Sequence, residues 1–182
     1  NSSNLVINTT NADVRDGAVV IASGATLDVP SRTVLHAQAN SGTAKTVLSV
    51  AGTLDVDGTV NITGQTAVAG ILTINEGARV NLIQDANVTS NIGSMTVTGT
   101  VDAVQSDDGK GTLSITKGAH VAVESGSVSG TVAPDTTSYL IAYPGADLAN
   151  AQIAWNDSTE ESDADSTQFV VNGEVYMTVY GS

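Results

Sequence analysis

The sequence predicts an all-β chain wound as a right-handed parallel β-helix, a solenoid of about five or more coils, closed by a C-terminal cap that contains a β-hairpin. Three observations carry this reading. Hydrophobic residues make up 41% of the chain but aromatics only 3%, so the core is assembled from Val, Ile, Leu and Ala in thin, uniform layers. Branched β-carbons of that kind suit a pleated strand and lose rotamer freedom in a helix. Short strand phrases headed by glycine recur along the chain, and inside each the apolar residues fall two apart, on one strand face.

The phrases come in two forms. One reads Gly-Ala-x-apolar-x-apolar, as in Gly24-Ala-Thr-Leu-Asp-Val29, Gly77-Ala-Arg-Val-Asn-Leu82 and Gly118-Ala-His-Val-Ala-Val123. The other begins Gly-Thr-apolar, at Gly52, Gly58, Gly99, Gly111 and Gly130. A second apolar strand precedes several of them: Val19–Ile21 before Gly24, Val47–Val50 before Gly52, Ile71–Ile74 before Gly77, Met95–Val97 before Gly99 and Leu113–Ile115 before Gly118. The paired units lie 28, 25, 22 and 19 residues apart, which suits one solenoid coil each. A β-sandwich is the rival architecture, but the one- or two-residue corners within each pair lack the Asn-Gly of a hairpin.

Aligned on their glycines, the phrases stack Leu27/Val29, Leu54/Val56, Val80/Leu82, Val101/Ala103 and Val121/Val123 as the core. The residues between them then form an outward column, Asp28, Asp55, Asn81, Asp102 and Ala122. Stacked carboxylates repel, so such a column is either well solvated or neutralised by cations, calcium being the candidate. A shifted register would instead set Arg79 against Asp55 and Asp102. A second outward set, Ser49, Thr73, Thr96 and Ser114, would make a hydroxyl column, the basis of an ice- or mineral-binding alternative.

All six aromatics, Tyr139, Tyr143, Trp155, Phe169, Tyr176 and Tyr180, come after the last coil phrase. This shift divides the chain into a β-helix over residues 1–133 and a cap or assembly segment over 134–182. Within the latter, Asn172-Gly173 between alternating apolar runs signals a hairpin with a type I′ turn. The aromatics are the candidate cap or assembly contacts, because a solenoid end exposes strand edges that need covering, and Tyr and Trp favour interfaces. The stretch from Asp157 to Asp165 reads as an acidic exposed loop.

A net charge of −13 repels phosphate backbones, which excludes nucleic acid as a natural partner. There is no cysteine and no apolar run of membrane-spanning length. Five Asn-x-Ser/Thr triplets, at Asn1, Asn8, Asn61, Asn87 and Asn156, are candidate N-glycosylation sites in an exported protein, although a chain rich in these residues produces several by chance. No catalytic constellation stands out, and the reading is of a non-enzyme without a cofactor. The six basic residues are scattered, and Asp107-Asp108 with Lys110 sits in a Gly-rich turn. His36 and His120 have no third ligand at zinc spacing and read as an incidental loop residue and an outward strand residue. A polysaccharide-active enzyme is the alternative, resting on architecture alone.

The phrases Gly52-Thr-Leu-Asp-Val56 and Gly118-Ala-His-Val-Ala-Val123 resemble the β-helical passenger regions of bacterial autotransporter and haemagglutinin-type adhesins. They are also similar to repeats of the adhesin-like surface proteins of archaea, and the ending Val170-Val-Asn-Gly-Glu-Val-Tyr-Met-Thr-Val-Tyr180 resembles segments between their repeat modules. The resemblance covers about residues 19 to 133 and brings no functional residue with it. It implies an extracellular or cell-surface location, a structural or adhesive role, and neighbouring domains, copies of itself or surface glycans as partners.

Overall fold

The computed structural model describes residues 3–15, 17–39, 45–85, 88–135, 138–154, 166–171 and 174–179. These form an all-β structure of mainly parallel strands in curled sheets, an arrangement compatible with a β-solenoid. The chain visits three faces in a fixed order, so each strand pairs in parallel with the strand one circuit earlier. Face one stacks Ser3–Val6, Ala25–Val29, Thr53–Val56, Ile71–Ile74, Thr100–Ala103 and the start of Ser127–Pro134. Face two stacks Asn11–Arg15, Val34–Gln38, Thr59–Thr63, Arg79–Leu82, Thr112–Ile115, the end of Ser127–Pro134 and Ala151–Ile153. On face three lie Val19–Ile21, Thr46–Val50, Gln65–Val68, Ser94–Val97, His120–Val123, Tyr139–Ala142 and Ser166–Val171.

Alternation within most strands turns every second side chain inward, and parallel register stacks these apolar residues circuit on circuit, with one shift on face three between Thr46 and Leu48. Face one contributes the ladder Leu5, Leu27, Leu54, Leu72, Val101 and Val128. From Leu54 onward its members are 0–1% exposed. Burial on this scale stabilises by roughly 2 kcal/mol per large aliphatic side chain, and it depends on a neighbouring circuit lying on each side.

The two glycine phrases mark two kinds of corner. In the Gly-Ala form, the alanine amide donates to the carbonyl three residues back: Ala25 to Ala22, Ala78 to Asn75 and Ala119 to Thr116. The glycine between has φ of 85°, 75° and 81° at Gly24, Gly77 and Gly118, a left-handed conformation required at the third position of a type II turn. Arg32 adopts the same conformation, φ 67°, in the equivalent turn Pro30–Thr33. At the other corner there is no room for a side chain. A methyl group on Gly52, Gly70, Gly99 or Gly126 would fall 2.0–2.2 Å from a carbonyl oxygen of the previous circuit, and for the last three that oxygen belongs to the preceding glycine of the column.

All ten inward residues predicted from the phrases are buried, but they do not share one column. Val80 and Leu82 stack on face two between Val60/Ile62 and Leu113/Ile115, while Val121 and Val123 stack on face three between Met95/Val97 and Leu140/Ala142. Each circuit contains three strands of the same pattern, so aligning phrases on any glycine merges corners that belong to different faces. The paired-phrase spacing is corrected for the same reason: the glycines at one corner are Gly52, Gly70, Gly99 and Gly126.

Parallel stacking continues through the aromatic-rich stretch, with Tyr139–Ala142 and Ala151–Ile153 each adding to a face. Ser166–Val171 and Glu174–Val179 then pair antiparallel, with Val171 opposite Glu174. The intervening Asn172-Gly173 lies outside the described residues. Two further antiparallel hairpins leave the corners, Gln84–Asp85 with Val88–Ile92 and Gln105–Ser106 with Gly109–Lys110.

Candidate functional site

The outward residues of the three faces form the surfaces on which recognition or chemistry would take place. On face one the observed column is Asp28, Asp55, Thr73, Asp102 and Ser129. Asn81 and Ala122, assigned to this column from the sequence, belong to faces two and three. Thr73 separates Asp55 from Asp102, so only Asp28 and Asp55 are like charges directly opposite. The remaining acids acquire donors: Asn75 Nδ2 donates to Asp55 Oδ1 at 2.6 Å, and Ser129 Oγ to Asp102 Oδ1 at 3.1 Å. Asp28 has no such donor among the described contacts. Partial desolvation, reinforced by the charges of Asp55 and Asp57, holds its carboxyl above the ordinary 3.8.

The charge ladder through Arg79 does not form, because Arg79 lies on face two opposite Thr59 and Thr112. Nor does the hydroxyl column. Ser49 and Thr96 share face three with Ala67 between them, whereas Thr73 is on face one and Ser114 is buried on face two. Four residues of similar type on three faces cannot present one array.

Face two is amide-rich. Its outward ladder runs Asp13, His36, Asn61, Asn81 and Ser114. His36 is thus a half-buried strand residue, not a loop residue, since it sits within Val34–Gln38. Asp13 accepts from Gln38 Nε2 at 2.9 Å and pairs with Arg15 Nε at 3.0 Å. Of the sequon asparagines, Asn8 is exposed. Asn61 is half-buried in the ladder, its Oδ1 accepting from Asn81 Nδ2 at 2.8 Å. Asn1, Asn87 and Asn156 lie outside the described residues.

Face three carries Val20, Ser49, Ala67, Thr96, Ala122 and Ile141 in one outward row and Gln65, Ser94, His120 and Tyr139 in the next, with no formal charge among them. His120 and Tyr139 stack with ring centroids 4.9 Å apart and planes 5° from parallel. Burial in that stack lowers the imidazole below its ordinary 6.5. Of the aromatic contact candidates, Tyr139 is therefore committed within the chain, and Tyr143 is 46% exposed in the turn Tyr143–Ala146. Phe169 and Tyr176 are opposite one another in the C-terminal hairpin. Trp155 and Tyr180 fall outside the described residues.

At the hairpin bearing Asp107, Asp108 and Lys110, the carboxylates point into solvent at an exposed tip, where Ser106 Oγ accepts from the Asp108 amide at 3.2 Å. The base is held by Gln105, a residue that the sequence does not single out. Its Nε2 donates to the carbonyls of Ala103 and Gly111 at 2.8 and 3.1 Å, and its Oε1 accepts from Thr131 at 2.8 Å. That clamp joins residues far apart in sequence, so only the stacking reveals it. Among the described residues no three His, Asp or Glu side chains converge on a point where they could hold a metal ion. Comparison with protein-family models, curated proteins and solved structures returned no match.

Proposed function

We propose that this chain is a non-enzymatic structural or adhesive module of a cell-surface protein or filament, acting outside the cell. The observation that supports the reading best is the parallel stacking of strands on three faces, whose outward positions hold many short Asp, Asn, Ser, Thr and Ala side chains, several of the polar ones hydrogen-bonded across circuits: Asn75 to Asp55, Asn81 to Asn61 and Ser129 to Asp102. A module of this kind separates or presents other parts; it transmits length and stiffness through backbone ladders and needs no convergent reactive groups. In this reading the fold is a right-handed β-helix of about five coils or more, closed by the C-terminal hairpin segment, and its partners are neighbouring domains, further copies or surface glycans. Neither calcium nor another cofactor has a role in it.

Immunogold electron microscopy on the source cells, with antibody raised to the 182-residue chain, tests the proposal. Label at the cell exterior or along filaments is the expected result. Label confined to the cell interior would overturn it.

A further inference from the structure

Aspartate is followed directly by glycine at Asp16-Gly17, Asp57-Gly58 and Asp108-Gly109. That dipeptide has a chemistry of its own. With no β-carbon on the second residue, its amide nitrogen can reach the carboxyl carbon of the aspartate and close a five-membered succinimide ring. Asp16 lies outside the described residues. Asp57 and Asp108 both have exposed side chains, so the two sites differ in what holds the peptide that must turn.

Asp57-Gly58 is locked between circuits. Both of its amides donate to the Val29 carbonyl of the preceding circuit, at 2.8 and 3.1 Å, and the Gly58 carbonyl accepts from the Arg79 amide of the following one at 3.1 Å. Gly58 is buried, and even a β-carbon there would collide with the carbonyl oxygens of Thr33 and Pro30. Ring closure swings the glycine nitrogen onto the preceding side chain. At this corner the swing breaks bonds to a neighbouring circuit and has no space in which to occur.

Asp108-Gly109 belongs to the hairpin of Gln105–Ser106 with Gly109–Lys110, where Asp107 and Asp108 form the exposed tip. The Asp108 amide donates to Ser106 Oγ at 3.2 Å and that hydroxyl donates to the Gly109 carbonyl at 3.3 Å, both bonds exposed and both internal to the hairpin. A β-carbon on Gly109 would meet nothing nearer than the Gly77 nitrogen at 3.5 Å. Opening this tip is a local event that leaves the stacked ladders paired.

We propose that Asp108 is a site of spontaneous backbone isomerisation, and that stacking suppresses the same reaction at Asp57. The Gly109 nitrogen attacks Cγ of Asp108. The N–Cγ bond forms, a Cγ–O bond breaks, and that oxygen leaves as water with the amide proton and the carboxyl proton. Water then adds back to one of the two ring carbonyls. Addition at Cγ restores aspartate, whereas addition at the α-carbonyl breaks its bond to nitrogen and leaves the chain running through Cγ. Mass is unchanged, a carboxylate is kept, and no oxidant or cofactor takes part. The product, isoaspartate, carries one extra methylene in the backbone of the tip, so altered tips accumulate with the age of the molecule.

Ageing the 182-residue chain at neutral pH for several weeks, folded and in guanidinium chloride, tests this. Trypsin separates Asp16, Asp57, Asp108 and Asn172 into peptides 16–32, 46–79, 80–110 and 118–182, and loss of the Asn172 amide is told apart by its mass change. Electron-transfer fragmentation identifies isoaspartate by cleavage of its additional backbone carbon–carbon bond. In the folded chain isoaspartate should form at Asp108 at least tenfold faster than at Asp57, and in denaturant the two rates should come within threefold. Gly109→Ala, at a site with space for the methyl group and a φ outside the left-handed region, should leave the circular dichroism unchanged and slow the reaction at Asp108 at least tenfold. An unreacted Asp108 in the folded chain, an Asp57 that reacts as fast, a ratio that persists in denaturant, or a rate indifferent to Gly109→Ala would each overturn the proposal.

Discussion

Leu5 and Leu54 hold the same inward position of one ladder, with Leu27 between them, yet the first is 67% exposed and the second is fully buried. Residue type, strand register and local backbone are shared. What differs is the circuit on the other side: Leu54 has Leu27 below and Leu72 above, whereas among the described residues Leu5 is in register with Leu27 alone. Burial in this molecule is therefore a property of the stack. A strand contributes half of its own environment and borrows the rest from the circuits next to it, the nearest-neighbour logic of repeat proteins.

The largest expected effect comes from cutting the ladder where it is covered. Leu54→Ala should lower stability by about 3 kcal/mol through lost transfer energy and the cavity left between two circuits, and Leu5→Ala by less than about 0.5 kcal/mol. Urea titration followed by circular dichroism reads both; equal losses would show that Leu5 is covered after all. A smaller and opposite effect is expected where a covered position holds the wrong chemistry. Thr66 sits in the inward face-three ladder between Leu48 and Met95, and its buried hydroxyl has no hydrogen-bond partner. Thr66→Val should raise stability by about 1 kcal/mol in the same assay, since it removes an unsatisfied polar atom while keeping the branched shape.

Smallest is the effect of charge on an outward ladder. Asp28 is held above 3.8, so its contribution to stability is fully present below that pH and is lost as pH rises through the higher folded value. Asp28→Asn should accordingly be more stable than the parent at pH 7, by on the order of a few tenths of a kcal/mol. Comparison of urea midpoints at pH 7 and pH 3 should show the advantage disappearing at the acidic value. An advantage equal at both would remove carboxylate repulsion as its cause.

The same contrast separates what could be read in advance from what could not. Period-two alternation identified Leu27, Leu54, Val80, Val101 and Val121 as inward because the pattern is local to a strand. It could not sort them among faces, since each circuit repeats the pattern three times and nothing local names the face. The corner chemistry was legible in part: Gly-Ala and Gly-Thr were visible as distinct forms, and the first proved to be a left-handed turn and the second a close approach between circuits. The candidate surfaces were less legible. The Asp28–Asp55 neighbours emerged correctly, but the His120–Tyr139 stack, the Gln105 clamp and the Asn61–Asn81 bond each join residues a full circuit apart. Such pairs become visible only when the length of each circuit is known, and here it varies with the hairpins inserted at the corners.

Those hairpins have a consequence for what the chain can tolerate. Both Gln84–Ile92 and Gln105–Lys110 leave the stack at a corner and return to it, and the ladders on either side keep register across the excursion. Pitch is set by the contact of one circuit's backbone on the next, so the number of residues spent outside it is free to change. The corners are thus natural graft points: a foreign peptide, an epitope or a binding loop spliced at Asp107-Asp108 would be displayed at an exposed corner with the stacked strands unchanged.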